Sequence, residues 1–475
     1  AREAGLRRRG YFMIGSPEED LASIAETEKL IDLLDADSIS ISIFTPYPGC
    51  EAFKVSVANG LNPQSLDWSR IDLYEKVLSP TRFLSRKQIE QQHERLLKKY
   101  SGIISTRGKT YQESEPVVRT KKQSTVLGID DAGRWRELIE RLPDELNDVY
   151  LTPEYGEVFQ REGYGLALCF LYQDGDDLFL YPFLKRRIKK VANRTISTPC
   201  YDLETPYGYG GPIANSMDGE FLRRAHQSFS GFCCSERIVC EFVRFHPIMR
   251  NERFSAEHMH TSFNRPTVYI DVASDEETIW GNYTGTGRNM IRKAKKSGVV
   301  IEPSRSPEEL RQFVDIYQET MDRVGANRFY FFPFSFFENM RLLFKDSFRL
   351  LLARWNGDIV AGAVFLKNDT YCHYHLAGSR RDCLKVAPNN LILHQAVLEA
   401  VRGKQKKMHI GGGSSTSQKD SLFRFKANFS PLRTKYSIGT RIHLPELYEQ
   451  LKQIWQEENQ GKAEVLKEVL QIYRF

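Results

Sequence analysis

Phe348-Arg349-Leu350-Leu351-Leu352-Ala353-Arg354-Trp355, then Asn356-Gly357-Asp358, then Ile359-Val360-Ala361-Gly362-Ala363-Val364-Phe365-Leu366, are two apolar runs joined by a short polar turn. Runs of this length bounded by turn residues predict a β-hairpin. A third strand follows at Thr370-Tyr371-Cys372-His373-Tyr374-His375-Leu376-Ala377. Pro388-Asn389-Asn390 then opens a helix that continues past Leu398, with proline suited to a first helical turn. A further strand is expected near Lys407-Met408-His409-Ile410. Upstream, residues 166–172 and 177–183 flank Gln173-Asp174-Gly175-Asp176 and predict a second hairpin of the same style.

Working outward, residues 125–280 and 281–440 read as two mixed α/β and α+β blocks. Gly281, Gly285 and Gly287 crowd the boundary between them. A charged helical tail is expected at 441–475. Residues 111–124 carry few apolar side chains and read as a linker. Ahead of it, Gly10-Tyr11-Phe12-Met13-Ile14-Gly15 predicts a buried strand, and Ser16-Pro17-Glu18-Glu19 a capped helix start. Ser38-Ile39-Ser40-Ile41-Ser42-Ile43 has strict period two and predicts a second strand. Strand, helix and strand make a parallel βαβ unit, and about three such segments fit residues 1–110.

Composition narrows the class. Of 475 residues, 27% are charged and 41% hydrophobic, which excludes wholesale disorder and a membrane-embedded chain. No apolar run approaches the roughly 18–20 residues of a membrane helix. The eight cysteines include no CxxC, so the expectation is reduced thiols and a cytoplasmic setting. Net charge is only +6, so an argument for an anionic partner must come from local clustering.

Several residues carry resemblances. Gly10 through Pro17, then Thr45-Pro46-Tyr47-Pro48-Gly49, and later Gly60-Leu61, resemble the late half-barrel of radical SAM enzymes that carry a cobalamin-binding domain. That family holds its iron–sulfur cluster with CxxxCxxC, a spacing this chain lacks, so residues 1–110 are expected to be a partial region without a cluster. It reads as the surviving end of a longer protein or a remnant. In the second half, His409-Ile410-Gly411-Gly412-Gly413, followed by Asp420-Ser421-Leu422-Phe423-Arg424-Phe425-Lys426-Ala427-Asn428, resembles the Fem-type aminoacyl transferases. Those enzymes resemble two tandem GNAT-like domains and move an amino acid from aminoacyl-tRNA to an amine of a peptidoglycan precursor. The resemblance therefore implies a partial parallel βα half-barrel followed by two tandem GNAT-like domains. It also implies aminoacyl-tRNA as donor, a nucleotide-sugar peptide or lipid-linked precursor as acceptor, and a peripheral membrane contact.

The site residues follow. The resemblance puts Lys426 at the transfer site, where a cation can hold an oxyanion or a phosphate, with Phe425 shaping the pocket; the alternative is a solvated strand lysine. Gly412 and Gly413, in the stretch from Gly411 to Thr416, offer backbone N–H groups to an anion, or form a flexible strand exit. Tyr207-Gly208-Tyr209-Gly210-Gly211-Pro212 offers two phenols to an acceptor, or is a glycine turn. Arg288, Arg292, Lys293, Lys295 and Lys296 lie on one stretch with no acid among them. They read as a grip on tRNA or a diphosphate, with the helix N-terminus behind Gly285 and Gly287 facing an anion, or as a solvated face. His373 and His375 share one side of their strand; either is a base for the attacking amine, or both are satisfied strand histidines. No metal-binding pattern such as HExxH occurs.

Acyl-CoA stands as the alternative donor. Ordinary N-acetyltransferases hold the CoA pyrophosphate with a glycine-containing loop before a helix. Here the matching stretch is Val386-Ala387-Pro388-Asn389-Asn390-Leu391, without glycine. The second reading is thus an acyl-CoA-dependent N-acyltransferase of polysaccharide biosynthesis, and the third a non-catalytic fusion remnant.

Overall fold

The computed structural model describes residues 9–34, 36, 38–46, 50–62, 80–100, 105–106, 109–110, 123–417, 419–460 and 469–474. The chain divides into two units, Ala1–Val118 and Arg119–Phe475. Tyr47, Pro48 and Gly49, and most of the linker read at 111–124, lie outside the described residues.

In the first unit, β1 (Arg9–Ile14) and β2 (Ser38–Ile43) pair in parallel from Arg9↔Ser38 to Ile14↔Ile43, with α1 (Leu21–Leu34) between them in sequence. The period-two pattern sends Ile39, Ile41 and Ile43 into a core with Ile14, Ile24 and Ile31. After α2 (Glu51–Ala58), α3 (Arg86–Lys99) adds Ile89 and Leu96 to that core and starts on a capping box between Ser85 and Gln88. One expectation is corrected. The helix after β1 begins at Leu21 and not at Ser16, because Asp20 and Ser23 exchange backbone N–H bonds at its start. The Glu19 carboxylate instead turns back to accept the N–H groups of Gly15 and Ser16. Among the described residues only two strands pair in parallel here. The remaining pair, β3 (Ser105–Thr106) and β4 (Lys109–Thr110), is antiparallel.

The second unit is built on one 13-stranded sheet. It begins with β5 (Gln123–Leu127), α4 (Ala132–Glu140) and α5 (Pro153–Arg161). The expected hairpin, β6 (Leu166–Asp174) and β7 (Asp177–Arg187), follows. Next come the small β8 (Lys190–Val191) and β9 (Arg194–Thr195), then β10 (Tyr201–Glu204), β11 (Ile213–Ala214), α6 (Gly219–Ser235), β12 (Ile238–Arg244) and the long β13 (His260–Asp271). The later half runs α7 (Glu276–Asn282), α8 (Gly285–Lys296), β14 (Val300–Pro303), α9 (Pro307–Arg323), α10 (Phe334–Phe344), β15 (Phe348–Trp355), β16 (Asp358–Lys367), β17 (Tyr371–Ser379), α11 (Pro388–Arg402) and β18 (Lys407–Gly412). It closes with α12 (Ser421–Ala427), β19 (Arg433–Ile442) and α13 (Pro445–Glu458). The β15–β16 turn has Asn356 at φ 54° and Gly357 at φ 90°, both left-handed, as a two-residue type I′ hairpin requires.

The two halves are joined by exchanged strands. β13, which closes the earlier half, pairs with β18 and β19 of the later one, while β19 returns to pair with β12. The sheet order is therefore β14-β15-β16-β17-β18-β13-β19-β12-β10-β7-β6-β5, with β11 added beside β7. On one face α8 and α11 cover Leu351, Ala363, Met408 and Ile410. On the other, α5 from the earlier half interdigitates with α9 and α10 through Phe159, Phe313, Phe336 and Met340. The tail packs back as well: Tyr448, Leu451 and Trp455 of α13 join Ile188, Val239 and Cys240. No helix among the described residues is long and apolar enough to cross a membrane.

Candidate active site at the strand junction

β17 and β18 are parallel neighbours for only three residue pairs, ending at His373↔His409. Both strands run on, to Ser379 and Gly412, but their pairing stops. The cause is local. β17 stays bonded to β16 as far as Ser379, whereas β18 follows β13 through a bulge in which Val268 and Tyr269 face Gly411 and His409, leaving Ile410 as the extra residue. Bulges re-aim a strand and end pairing. Backbone groups on the facing edges lose their sheet partners where the strands part, which makes the junction a ready site for an extended ligand.

Lys426 sits at that junction. The structure corrects the alternative of a solvated strand lysine: the residue is on α12, is only 8% exposed, and donates from Nζ to the Gly412 carbonyl at 2.8 Å. Burial pushes its ammonium down to about 8, with Asp420 working against that shift. Nζ lies 5.9 Å from the ring centroid of Tyr374 on β17. Gly411 has φ +82°, which favours glycine, and a β-carbon there would come 2.9 Å from Nζ, so the lysine tip would have to move. Phe425 is half-buried and packs edge-on against Phe429 at 5.6 Å.

Part of the glycine-rich turn already has an internal anion. The Asp420 carboxylate, which caps α12 through Phe423 N at 2.9 Å, also accepts the backbone N–H groups of Ser414 and Ser415 at 3.1 Å each. The anion for these amides is thus internal. Gly412 and Gly413 instead make room: a β-carbon on Gly413 would strike Asp420, and one on Gly412 the carbonyl of Pro266. Their carbonyls accept from Lys426 and, at 2.7 Å, from Arg265.

His373 and His375 do share a face of β17, and both are buried, at 1% and 8% exposure. His373 Nε2 lies 2.6 Å from Asp148 Oδ2, and His246 Nε2 lies 3.4 Å from the same oxygen. His375 Nδ1 is 3.0 Å from the Tyr150 hydroxyl. Burial pushes His375 down to about 3 and also lowers His246 and His409. Burial raises the Asp148 carboxyl, but the adjoining His373 and His246 rings hold it below the ordinary aspartate range.

The turn at Tyr207–Gly211 reaches the same place from the earlier half of the unit. Tyr207 packs 5.5 Å from the His375 ring, and Tyr209 lies 5.0 Å from His409 and 5.4 Å from Tyr436. Gly211 has φ +94° beside Val243, and Asn251 Nδ2 clamps the carbonyls of Gly210 (2.8 Å) and Pro212 (3.0 Å). The glycines therefore build the turn that delivers the two phenols.

The basic helix α8 is not uniformly free. Arg288 is turned onto the carbonyls that end α7, donating to Tyr283 O at 2.5 Å and Gly281 O at 3.1 Å. Arg292 lies over Trp280 at 5.5 Å, and Lys293, Lys295 and Lys296 are exposed. The first turn of the helix carries its own side-chain cap. Gly285 and Gly287 lie inside its first turn, where Thr284 Oγ1 accepts the Gly287 N–H at 3.1 Å.

Sequence reasoning missed Asp148, His246, Tyr150 and Arg265. Asp148 and His373 are 225 residues apart and neither has a local motif. Their only advertisement is a buried position that the fold alone creates.

Comparison with known proteins bears on this geometry. Residues 283–427 match the family of the acetyltransferase (GNAT) domain, and the junction between β17 and β18, with Lys426, lies inside that stretch. The crystal structure of FemX superposes with a TM-score of 0.54 at 13% identity, over 69% of this chain and 99% of that one. A tandem GNAT protein from the clavulanic acid biosynthesis pathway gives a TM-score of 0.41 at 10% identity, over 68% of this chain and 99% of its own. An uncharacterized methyltransferase of Pyrococcus horikoshii is 32% identical over 85 residues, which span 18% of this chain and 18% of that protein. The later unit thus shares the fold of FemX, and residues 283–427 within it are similar to the acetyltransferase (GNAT) domain.

Proposed function

We propose that the chain is an acyltransferase that moves an aminoacyl group from aminoacyl-tRNA to an amine of a peptidoglycan precursor or similar cell-envelope acceptor. The observation that carries this reading is the desolvated ammonium of Lys426, placed where β17 and β18 part and backed by a carbonyl. In aminoacyl transfer the acceptor nitrogen bonds to the ester carbonyl carbon, and the bond from that carbon to the ribose oxygen breaks. The amine gives up a proton and the ribose oxygen takes one. Negative charge collects on the carbonyl oxygen on the way, and a fixed cation in a water-poor site stabilises it strongly. Arg265, on the Gly413 carbonyl, and Tyr209, against His409, supply hydrogen bonds to a polar acceptor, with Tyr207 further along beside His375. The exposed Lys293, Lys295 and Lys296, with Arg292, supply phosphate contacts for the tRNA. The FemX likeness is one of fold, and it supports the choice of donor without deciding it.

The match to an acetyltransferase domain favours acyl-CoA as a second donor. Transfer of radiolabel from mixed aminoacyl-tRNA, run beside labelled acetyl-CoA, separates the two. For residues 1–110 the proposal is a radical SAM-like βα region without radical chemistry of its own. Anaerobic reconstitution with iron and sulfide should leave no four-iron cluster spectrum on this chain.

A further inference from the structure

Asp148, His246 and His373 form the one group among the described residues whose ligating atoms lie close enough together to hold a metal, within 4.8 Å of one another. The hydrogen bonds around them argue for a different use. His246 Nδ1 accepts the backbone N–H of Met249 at 3.1 Å. A ring nitrogen that accepts carries no proton, so the proton of neutral His246 is on Nε2, aimed at Asp148. A metal ion there would need that lone pair. His373 Nε2, at 2.6 Å from Asp148 Oδ2, is likewise the donor to a carboxylate whose other oxygen already accepts the Tyr150 N–H at 2.9 Å. His373 Nδ1 is then left with a bare lone pair, buried and without a hydrogen-bond partner.

We infer that Asp148 holds His373 as a general base whose Nδ1 takes the proton of the attacking amine, with His246 Nε2 3.4 Å from the same carboxylate oxygen and making no hydrogen bond of its own. This rests on the acyl-transfer reading and deepens it by assigning the proton. As the carbon–nitrogen bond forms, the amine proton passes to Nδ1, Asp148 stabilises the imidazolium, and the proton is returned to the ribose oxygen as it leaves. The position fits the step, because His373↔His409 is the last pair before the strands part. Asp148 is the positioning residue; it is fully buried and touches no reacting atom. The groups that face His373 are Asp148, His246, His409, His375, Tyr150 and Tyr371. Asp148 is the only carboxylate among them.

Two measurements test this in the full chain. With histidine labelled at nitrogen-15, long-range NMR correlations should show Nε2–H and a bare Nδ1 for both His373 and His246, unchanged on addition of Zn²⁺. Zn²⁺ shifting both rings together would overturn the dyad in favour of a metal site, as would a proton on Nδ1 of His373. In the transfer assay, His373→Gln should lower kcat about 100-fold or more with tRNA affinity unchanged, and should abolish the acid limb of the pH–rate profile. Asp148→Asn should lower kcat and move that limb. If Asp148→Asn does not fold, His246→Gln should move the limb with a smaller loss of kcat. A His373→Gln enzyme that keeps both kcat and the acid limb overturns the inference. If the unmodified protein transfers from neither donor, the acyl-transfer reading falls, and the tautomers alone then decide whether the dyad exists.

Discussion

The ammonium of Lys426 occupies the space that a side chain on Gly411 would need: a β-carbon built on Gly411 falls 2.9 Å from Nζ. The bulge, the positive φ and the position of the cation are therefore one device. Gly411→Ala should cost on the order of 1–3 kcal/mol through its left-handed backbone. It should also displace Lys426, lowering turnover by at least tenfold while the protein still melts cooperatively. Thermal melts and turnover measured on the same preparation check it; an alanine variant with normal turnover would separate the two residues.

Lys426→Ala should lower turnover by about 100-fold or more, the scale of losing one charge-stabilising group. The buried ammonium also gives a pH prediction. Because burial lowers it to about 8, the cation is lost as pH rises through that value, and activity should fall there. Lys426→Arg, which stays charged, should push that alkaline limb upward. The sign for stability is opposite. Between about 8 and the ordinary lysine value the unfolded chain binds the extra proton, so this group adds stability as pH rises across that window.

Asp420 is the internal anion of the glycine-rich turn. Hydrogen bonds from Ser414, Ser415 and Phe423 outweigh burial and hold its carboxyl down at about 2. Its stabilising contribution is therefore complete above the ordinary aspartate value and is lost as pH falls towards about 2. Asp420→Ala should cost about 1 kcal/mol, the worth of a helix cap, and should flatten stability against pH over that acid range. Denaturant melts from neutral to strongly acidic pH measure both.

On α8, neutralising Arg292 and Lys295 together should weaken tRNA binding and flatten the salt dependence by roughly two units, since each phosphate contact contributes a slope near one. Arg288→Ala should instead lower the melting temperature, because that guanidinium is committed to the carbonyls ending α7. Filter binding at several salt concentrations distinguishes the two outcomes. A double variant with an unchanged slope would make this a solvated face.

Local pattern made the strands legible and left the junction hidden. The Asn356-Gly357 turn, the run after it and the helix at Pro388 stand where the sequence puts them, because turn chemistry and periodicity are local. The exchange of β13 and β19 was not readable, since an apolar strand carries no label for its partner. Lys426 was found through resemblance, but its burial on a helix was not. Glycines 411–413 advertised an anion site, and the amides just after them, of Ser414 and Ser415, are taken by Asp420. Asp148 and His246 left no trace at all, for their meeting with His373 depends on the complete sheet.

The most direct test of the central claim is label transfer by purified protein from mixed radiolabelled aminoacyl-tRNA to a cell-envelope peptide precursor, beside labelled acetyl-CoA. The account predicts label on the acceptor amine from aminoacyl-tRNA, with the rate falling about 100-fold in Lys426→Ala. Label from acetyl-CoA alone, at a rate indifferent to Lys426, would contradict it.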